Sequence, residues 1–81
     1  MDVRVCFYSY FKDLAHCTDT QLSLASGATI SDLLAMVHQR FPALAPLSKS
    51  TLIAVGVDYQ TRSYILRDGD EVSLFPPVQG G

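Results

Sequence analysis

The sequence is poor in the residues that build active sites. It has two histidines, two cysteines and no tryptophan among its 81 residues. Nucleophilic catalysis needs a base beside the nucleophile, and neither His16 nor His38 has a suitably spaced partner. A phosphate-binding loop needs closely spaced glycines, whereas Gly27, Gly56 and Gly69 stand alone. The sequence therefore predicts a protein with no catalytic set of its own.

Cysteines and acidic residues are also too few to predict a cross-linked or metal-bound fold. Cys6 and Cys17 suit two free thiols in a reducing compartment better than a disulfide framework or a zinc knuckle. Asp68, Asp70 and Glu71 supply fewer oxygen ligands than a calcium loop, and we expect them to form a solvated hairpin tip. We predict no bound metal and no bound cofactor.

Charge and hydrophobicity argue against two classes of partner. The net charge is −2, and the six basic residues form no stripe that would bind nucleic acid. No apolar run approaches the roughly 18 residues that cross a bilayer, and no signal-peptide pattern opens the chain. We therefore expect a cytoplasmic protein that uses neither nucleic acid nor a membrane.

What the chain does have is an unusually high apolar content for its length. Apolar residues make up 48% of the sequence. A domain of this size buries only about 60% of the surface that its unfolded chain exposes. Some apolar side chains must therefore stay outside, and contiguous exposed apolar surface usually marks a binding site for a partner.

Residue periodicity predicts one α+β domain with the element order β-β-α-β-β. Thr29 is a good N-cap for the main helix, Asp32 completes a capping box, and Pro42 ends the helix. Residues 11–16 are expected to form a short helical turn. Alternating or continuous apolar residues predict four strands, over 2–8, 20–24, 52–57 and 71–75.

The connections between these elements are less regular. Residues 43–50 contain Pro46 and are expected to be irregular, with room for one helical turn. Residues 58–60 fit a turn or a short edge strand. The Asp68-Gly69 pair predicts a tight turn, because glycine and aspartate tolerate the backbone angles that such turns require.

The end of the chain has the most unusual composition. The last predicted strand stops at Phe75, because Pro76 and Pro77 cannot donate to a sheet. Glycine averages about 7% of residues, so Gly80-Gly81 would close roughly 0.5% of chains by chance. Glycine also lets another backbone approach from all sides. The sequence predicts a slender tail that presents its terminal carboxylate to another protein.

The segment 68–81, which reads D-G-D-E-V-S-L-F-P-P-V-Q-G-G, resembles the small-subunit family of molybdopterin synthase. That family typically closes with D-G-D-E-V, an apolar pair and P-P-V-x-G-G. Residues 27–30 and 41–44 also fit the family around its main helix, so the resemblance spans nearly the whole chain. One position departs from it, since Gly56 stands where members commonly carry asparagine.

The resemblance implies a ubiquitin-like β-grasp fold and a sulfur carrier that is not itself an enzyme. An ATP-dependent activating enzyme would adenylate the Gly81 carboxylate, and sulfur from a persulfide would then leave a thiocarboxylate. The tail would enter the large catalytic subunit, in a complex expected to be a heterotetramer, and deliver sulfur to the pterin precursor. Two alternatives stay open: a carrier for thiamine or another sulfur metabolite, and a ubiquitin-like modifier of lysines.

The expected site therefore lies at one end of the molecule. We expect residues 1–76 to form the domain and 77–81 the extended tail. Phe75 is the expected aromatic anchor for the partner, although alternation alone leaves open whether it is a core residue. The expected site residues are Gly81 as the reacting group, Val78, Gln79 and Gly80 as the inserted tail, and Phe75, Pro76 and Pro77 as partner contacts.

Overall fold

The computed structural model describes residues 1–77, and its strands form a single sheet that wraps one side of a helix. In chain order the strands are β1 (Asp2–Phe7), β2 (Asp19–Ser23), β3 (Leu52–Val55), β4 (Asp58–Tyr59) and β5 (Glu71–Phe75). Their order across the sheet is β2-β1-β5-β3-β4. β1 and β5 are parallel, and the other neighbouring strands are antiparallel. The predicted α+β class is confirmed.

Two α-helices and a 3₁₀ helix complete the described part of the chain: α1 (Phe11–Ala15), α2 (Ile30–Arg40) and the 3₁₀ helix (Pro42–Ser50). The capping box predicted for α2 is present. The Asp32 amide donates to Thr29 Oγ1 at 3.3 Å, and the Thr29 amide donates to Asp32 Oδ2 at 2.9 Å. No helix within residues 1–77 is long and apolar enough to cross a bilayer.

The core lies between α2 and one face of the sheet. Helical periodicity places Ile30, Leu33, Leu34 and Val37 on the same side of α2, and all four are buried. The strand residues that face them alternate along β1 and β5, as the period of two requires. These buried strand residues are Val3, Val5, Phe7, Val72 and Leu74.

The strand predicted over 52–57 is two residues too long. β3 ends at Val55, and Gly56 and Val57 form the turn into β4. Gly56 has a φ of +60°, in the left-handed region that reverses the chain. Val57 is 96% exposed at the tip of this turn, so the last two residues of the apolar run are not part of the strand.

The Asp68-Gly69 turn forms as predicted but is not a hairpin tip. The Asp2 amide donates to Asp68 Oδ1 at 2.7 Å, and the Gly69 amide donates to the Asp2 carbonyl at 2.8 Å. Asp70 Oδ2 accepts from the Arg67 amide at 2.9 Å. A hairpin tip would join two strands that pair with each other. β5 pairs with β1 and β3 but not with the segment before the turn, so the turn lies beside the start of β1 instead.

Two predicted connections are more regular than the sequence suggested. The segment after α2 forms a 3₁₀ helix of nine residues rather than a single turn. The Leu47 carbonyl accepts from both Ser50 Oγ and Thr51 Oγ1, which closes its last turn. Residues 58–60 were expected to form a turn or a short edge strand, and β4 shows that the edge strand forms.

The capping box of α2 gives a direct stability test. Replacing Thr29 by alanine removes the side-chain acceptor for the Asp32 amide. We expect the free energy of unfolding to fall by about 1 kcal/mol, measured by urea denaturation. Thr29→Ser keeps a hydroxyl and should lose much less. Equal stability of the two variants would show that the cap does not stabilise the fold.

Candidate functional site

The candidate site lies where β5 leaves the sheet. Val72 and Leu74 of this strand are buried in the core, whereas Ser73 and Phe75 lie on the opposite, outer face of the sheet. Phe75 is half-buried there, which decides between the two faces that the sequence left open. Alternate residues of a strand point to opposite faces, so burying Leu74 directs Phe75 outward.

Residues beyond the strand follow the predicted exit. β5 ends at Phe75, and neither Pro76 nor Pro77 belongs to the sheet. Pro76 is half-buried and Pro77 is exposed. The expected tail residues Val78, Gln79, Gly80 and Gly81 lie outside the described residues.

Phe75 packs between two tyrosines, Tyr8 just after β1 and Tyr59 on β4. Its ring centroid lies 5.9 Å from that of Tyr8 and 5.8 Å from that of Tyr59, with interplanar angles of 79° and 70°. Edge-to-face packing of this kind adds about 0.5–1.5 kcal/mol per pair beyond the area buried. The Tyr8 amide donates to the Leu74 carbonyl at 3.1 Å, which extends the β1–β5 pairing and holds Tyr8 beside the ring.

The three rings and the β3–β4 turn surround a shallow concavity of about 400 Å³. Tyr8 and Tyr59 are 46% and 69% exposed, and Val57 projects from the turn beside them. We call Tyr8, Val57, Tyr59 and Phe75 the aromatic patch. Exposed apolar side chains gathered at one place suit a partner contact.

The outer face becomes charged away from the patch. Arg4 Nη2 lies 2.7 Å from Asp19 Oδ2, and Thr18 Oγ1 donates to the other oxygen of Asp19 at 2.8 Å. The bond from Thr18, followed by that from Arg4, lowers the pKa of Asp19, and the same ion pair raises the pKa of Arg4. The pair is exposed and contributes little to stability, but it separates an apolar end of the sheet from a polar one.

Cys6 lies between these two ends and is a poor nucleophile. It is opposite Ser73 in the β1–β5 register. Burial is the main cause that raises the pKa of its thiol, and the negative charge of Glu71 adds to it. The thiolate is the reactive form of cysteine, and a raised pKa leaves less thiolate at Cys6 at neutral pH.

The described residues do not assemble a catalytic set. His38 is half-buried on α2, where burial and then the positive charge of Arg62 lower its pKa. His16 is exposed at the end of α1, in the left-handed region. Within residues 1–77 no three His, Cys, Asp or Glu side chains lie close enough to hold a metal ion.

Sequence reasoning missed three of the four residues of the aromatic patch. Tyr8 continues the alternation of β1 onto the outer face, so its side of the sheet could have been inferred. Tyr59 and Val57 gave no such signal, because their positions depend on how the Gly56 turn folds β4 back against β3.

Comparison with solved structures defines the class of protein. A TM-score of 0.84 relates this chain to small archaeal modifier protein 1 of Haloferax volcanii, over 95% of this chain and 98% of that one. At 20% identity that likeness concerns the fold alone. A putative molybdopterin converting factor subunit 1 from Pyrococcus furiosus has a TM-score of 0.89 at 28% identity, covering 96% and 99% of the two chains. The chain is a ubiquitin-like β-grasp protein.

Sequence comparison then gives the family. Residues 8–81 match the ThiS family. A molybdopterin synthase sulfur carrier subunit from Chlamydomonas reinhardtii is 31% identical over the full length of both chains. The chain belongs to the ThiS family. A complex of subunits 1 and 2 of the molybdopterin-converting factor from Helicobacter pylori contains a chain with a TM-score of 0.71 and 27% identity, with full coverage of both.

The departure at Gly56 has a backbone explanation that can be tested. A side chain at this position would meet no atom within 4 Å, so only the positive φ opposes substitution. Asparagine tolerates the left-handed region and valine does not. We expect Gly56→Asn to be tolerated and Gly56→Val to cost about 1–2 kcal/mol of unfolding free energy. Equal losses in urea denaturation would contradict the backbone explanation.

Proposed function

We propose that this chain is the sulfur carrier subunit of a molybdopterin synthase. The observation that carries the proposal is the extent of the family likeness, which runs through residue 81 and so includes the Pro-Pro-Val-Gln-Gly-Gly ending. Full-length similarity to a sulfur carrier subunit of that synthase supports the particular pathway. The aromatic patch at the base of the tail supports a role in docking.

The reacting group in this proposal is the Gly81 carboxylate. A carboxylate is a poor electrophile, and residues 1–77 offer no catalytic set to activate it. A separate ATP-dependent enzyme therefore supplies the activation. A carboxylate oxygen attacks the α-phosphorus of ATP, pyrophosphate leaves, and the resulting acyl-adenylate carries AMP as a good leaving group.

Sulfur then replaces AMP in two steps. The outer sulfur of a persulfide attacks the acyl carbon and expels AMP, which leaves an acyl disulfide. A thiol cleaves its sulfur–sulfur bond, so the donor ends as a disulfide and Gly81 as a thiocarboxylate. The slender tail carries this group into the catalytic large subunit, where the sulfur passes to the pterin precursor. This chain binds no cofactor in the proposal, and ATP is a substrate of the activating enzyme.

The aromatic patch suits the docking step. Phe75, Pro76 and Pro77 are the proposed partner contacts, and the patch adds Tyr8, Val57 and Tyr59 around the same exit. Aromatic anchors surrounded by partly exposed apolar residues carry much of the energy in protein interfaces. The two-subunit Helicobacter pylori complex supports a large-subunit partner, and we propose a heterotetramer built from two such pairs. Val78, Gln79 and Gly80 would then form the inserted tail that leads to Gly81.

Intact-mass analysis tests the carrier chemistry. After incubation with the activating enzyme, ATP and a persulfide donor, we expect the mass to rise by the difference between one sulfur and one oxygen atom. Deleting Gly81 should abolish the product, whereas the matched change Ser63→Ala should leave it intact. A sulfurated product from the truncated chain would contradict the role of Gly81. Attachment to lysines of other proteins would instead support a modifier.

Isothermal titration calorimetry with the large subunit tests the docking surface. Truncating Phe75 to alanine should weaken binding by more than about 2 kcal/mol, as expected for an aromatic anchor. Because Phe75 also packs on Tyr8 and Tyr59, the exposed Val57→Asp provides a second test that leaves the core untouched. Unchanged affinity of both variants for the large subunit would exclude the aromatic patch as the docking surface. If the chain bound the partner from the thiamine pathway instead, it would be a sulfur carrier of that pathway.

A further inference from the structure

β2 forms an open edge of the sheet, and its hydrogen-bond pattern shows which groups are free. Met1 and Leu24 exchange two backbone hydrogen bonds of 2.8 Å, and the Phe7 amide donates to the Thr18 carbonyl at 2.9 Å. In an antiparallel pair such bonded positions alternate along the strand. The amide and carbonyl groups of Asp19, Gln21 and Ser23 therefore point away from β1.

These outward groups are unpaired within residues 1–77, where no other backbone group is hydrogen-bonded to them. Proteins usually protect such an edge with lysine, proline, a bulge or a very short strand. The opposite edge, β4, has only two residues and is protected by its shortness. β2 has five residues, with neither lysine nor proline, and its one charged residue is paired with Arg4.

A groove continues from this edge toward the helix. It has a volume of about 460 Å³ and lies between the end of β2, the following turn and one side of α2. Leu24, Ala28, Ala35 and Met36 give it an apolar lining, and Ala35 is exposed. A strand added beside β2 would direct every second side chain toward this groove and the others toward the outer face.

The charges on the outer face of the sheet indicate which side chains an added strand would place there. Asp2 is exposed beside Ser23, whose hydroxyl donates to Asp2 Oδ1 at 2.8 Å, whereas Asp19 at the other end of β2 is already paired with Arg4. A basic side chain at the Ser23 end of the added strand would meet the Asp2 carboxylate. A second copy of this chain would offer no such basic side chain, because the outward side chains of its β2 are those of Asp19, Gln21 and Ser23, and each copy carries a net charge of −2.

We propose that β2 accepts an extended segment of a partner protein as a sixth, antiparallel strand of the sheet. Its backbone pairs with the amides and carbonyls of Asp19, Gln21 and Ser23, its apolar side chains enter the groove beside α2, and a basic side chain faces Asp2. Strand addition of this kind draws affinity from main-chain hydrogen bonds and specificity from alternate side chains. The surface is separate from the aromatic patch, so both can be occupied together.

An alternating peptide provides the probe. Acetyl-Lys-Val-Lys-Val-Lys-Val-Lys-amide is titrated into the ¹⁵N-labelled chain, and the backbone amide shifts are followed by NMR. We expect the shifts of Asp19, Gln21 and Ser23 to change most. A peptide with N-methylated lysine backbone nitrogens lacks the donors that face β2 and should not bind. A peptide with glutamate in place of lysine should bind more weakly.

A proline variant tests the outward groups of β2 without removing a hydrogen bond to β1. Gln21→Pro removes an outward amide but no bond to β1, because the β1 pairing uses Thr20 and Leu22. We expect peptide affinity to fall about tenfold, while Gln21→Ala binds like the native chain. Both variants should still be sulfurated at Gly81, so this test stands apart from that of the proposed function.

Three results would overturn the inference. They are equal affinity of Gln21→Pro and Gln21→Ala, peptide-induced shifts confined to the aromatic patch, and unimpaired binding of the N-methylated peptide. Concentration-dependent shifts at the same amides without peptide would assign the edge to a second copy of the chain. The N-methylated peptide keeps the test valid even if the proline variant fails to fold.

Discussion

The position of β5 in the middle of the sheet is the constraint on which the rest of the molecule depends. β5 pairs in parallel with β1 and antiparallel with β3, so both of its edges are hydrogen-bonded. One face of the strand then has to cover α2, and the other has to face outward. The end of the strand is held from both sides, and the chain beyond Phe75 therefore leaves from a fixed point on a rigid sheet.

The same pairing assembles the aromatic patch from distant parts of the sequence. Tyr8 follows β1, Tyr59 belongs to β4 and Phe75 to β5, yet the two tyrosine rings each lie within 6 Å of the Phe75 ring. β1 and β5 are anchored in the core by their inner residues, whereas the exposed β4 is held by its pairing with β3. A partner that binds these rings would recognise a preformed surface, which lowers the ordering cost of association.

The outer face and the open edge divide the surface into regions of different chemistry. Aromatic side chains lie around the exit of β5, the Arg4–Asp19 pair occupies the face near β2, and the edge beyond it carries backbone groups that have no partner within residues 1–77. The two proposed binding surfaces follow this arrangement. The exit region suits the proteins that act on the tail, and the edge suits a partner that recognises main chain.

The sequence by itself determined the elements whose signals are local. The capping box at Thr29, the helical face of α2 and the alternation of β1 and β5 depend on neighbouring residues, and the structure confirms each of them. The tail motif and family likeness also came from sequence. Tertiary structure decided the outer position of Phe75, the early end of β3 and the attachment of the Asp68-Gly69 turn to β1. These depend on which strands become neighbours, and that is set by packing between residues far apart in the chain, which no local pattern encodes.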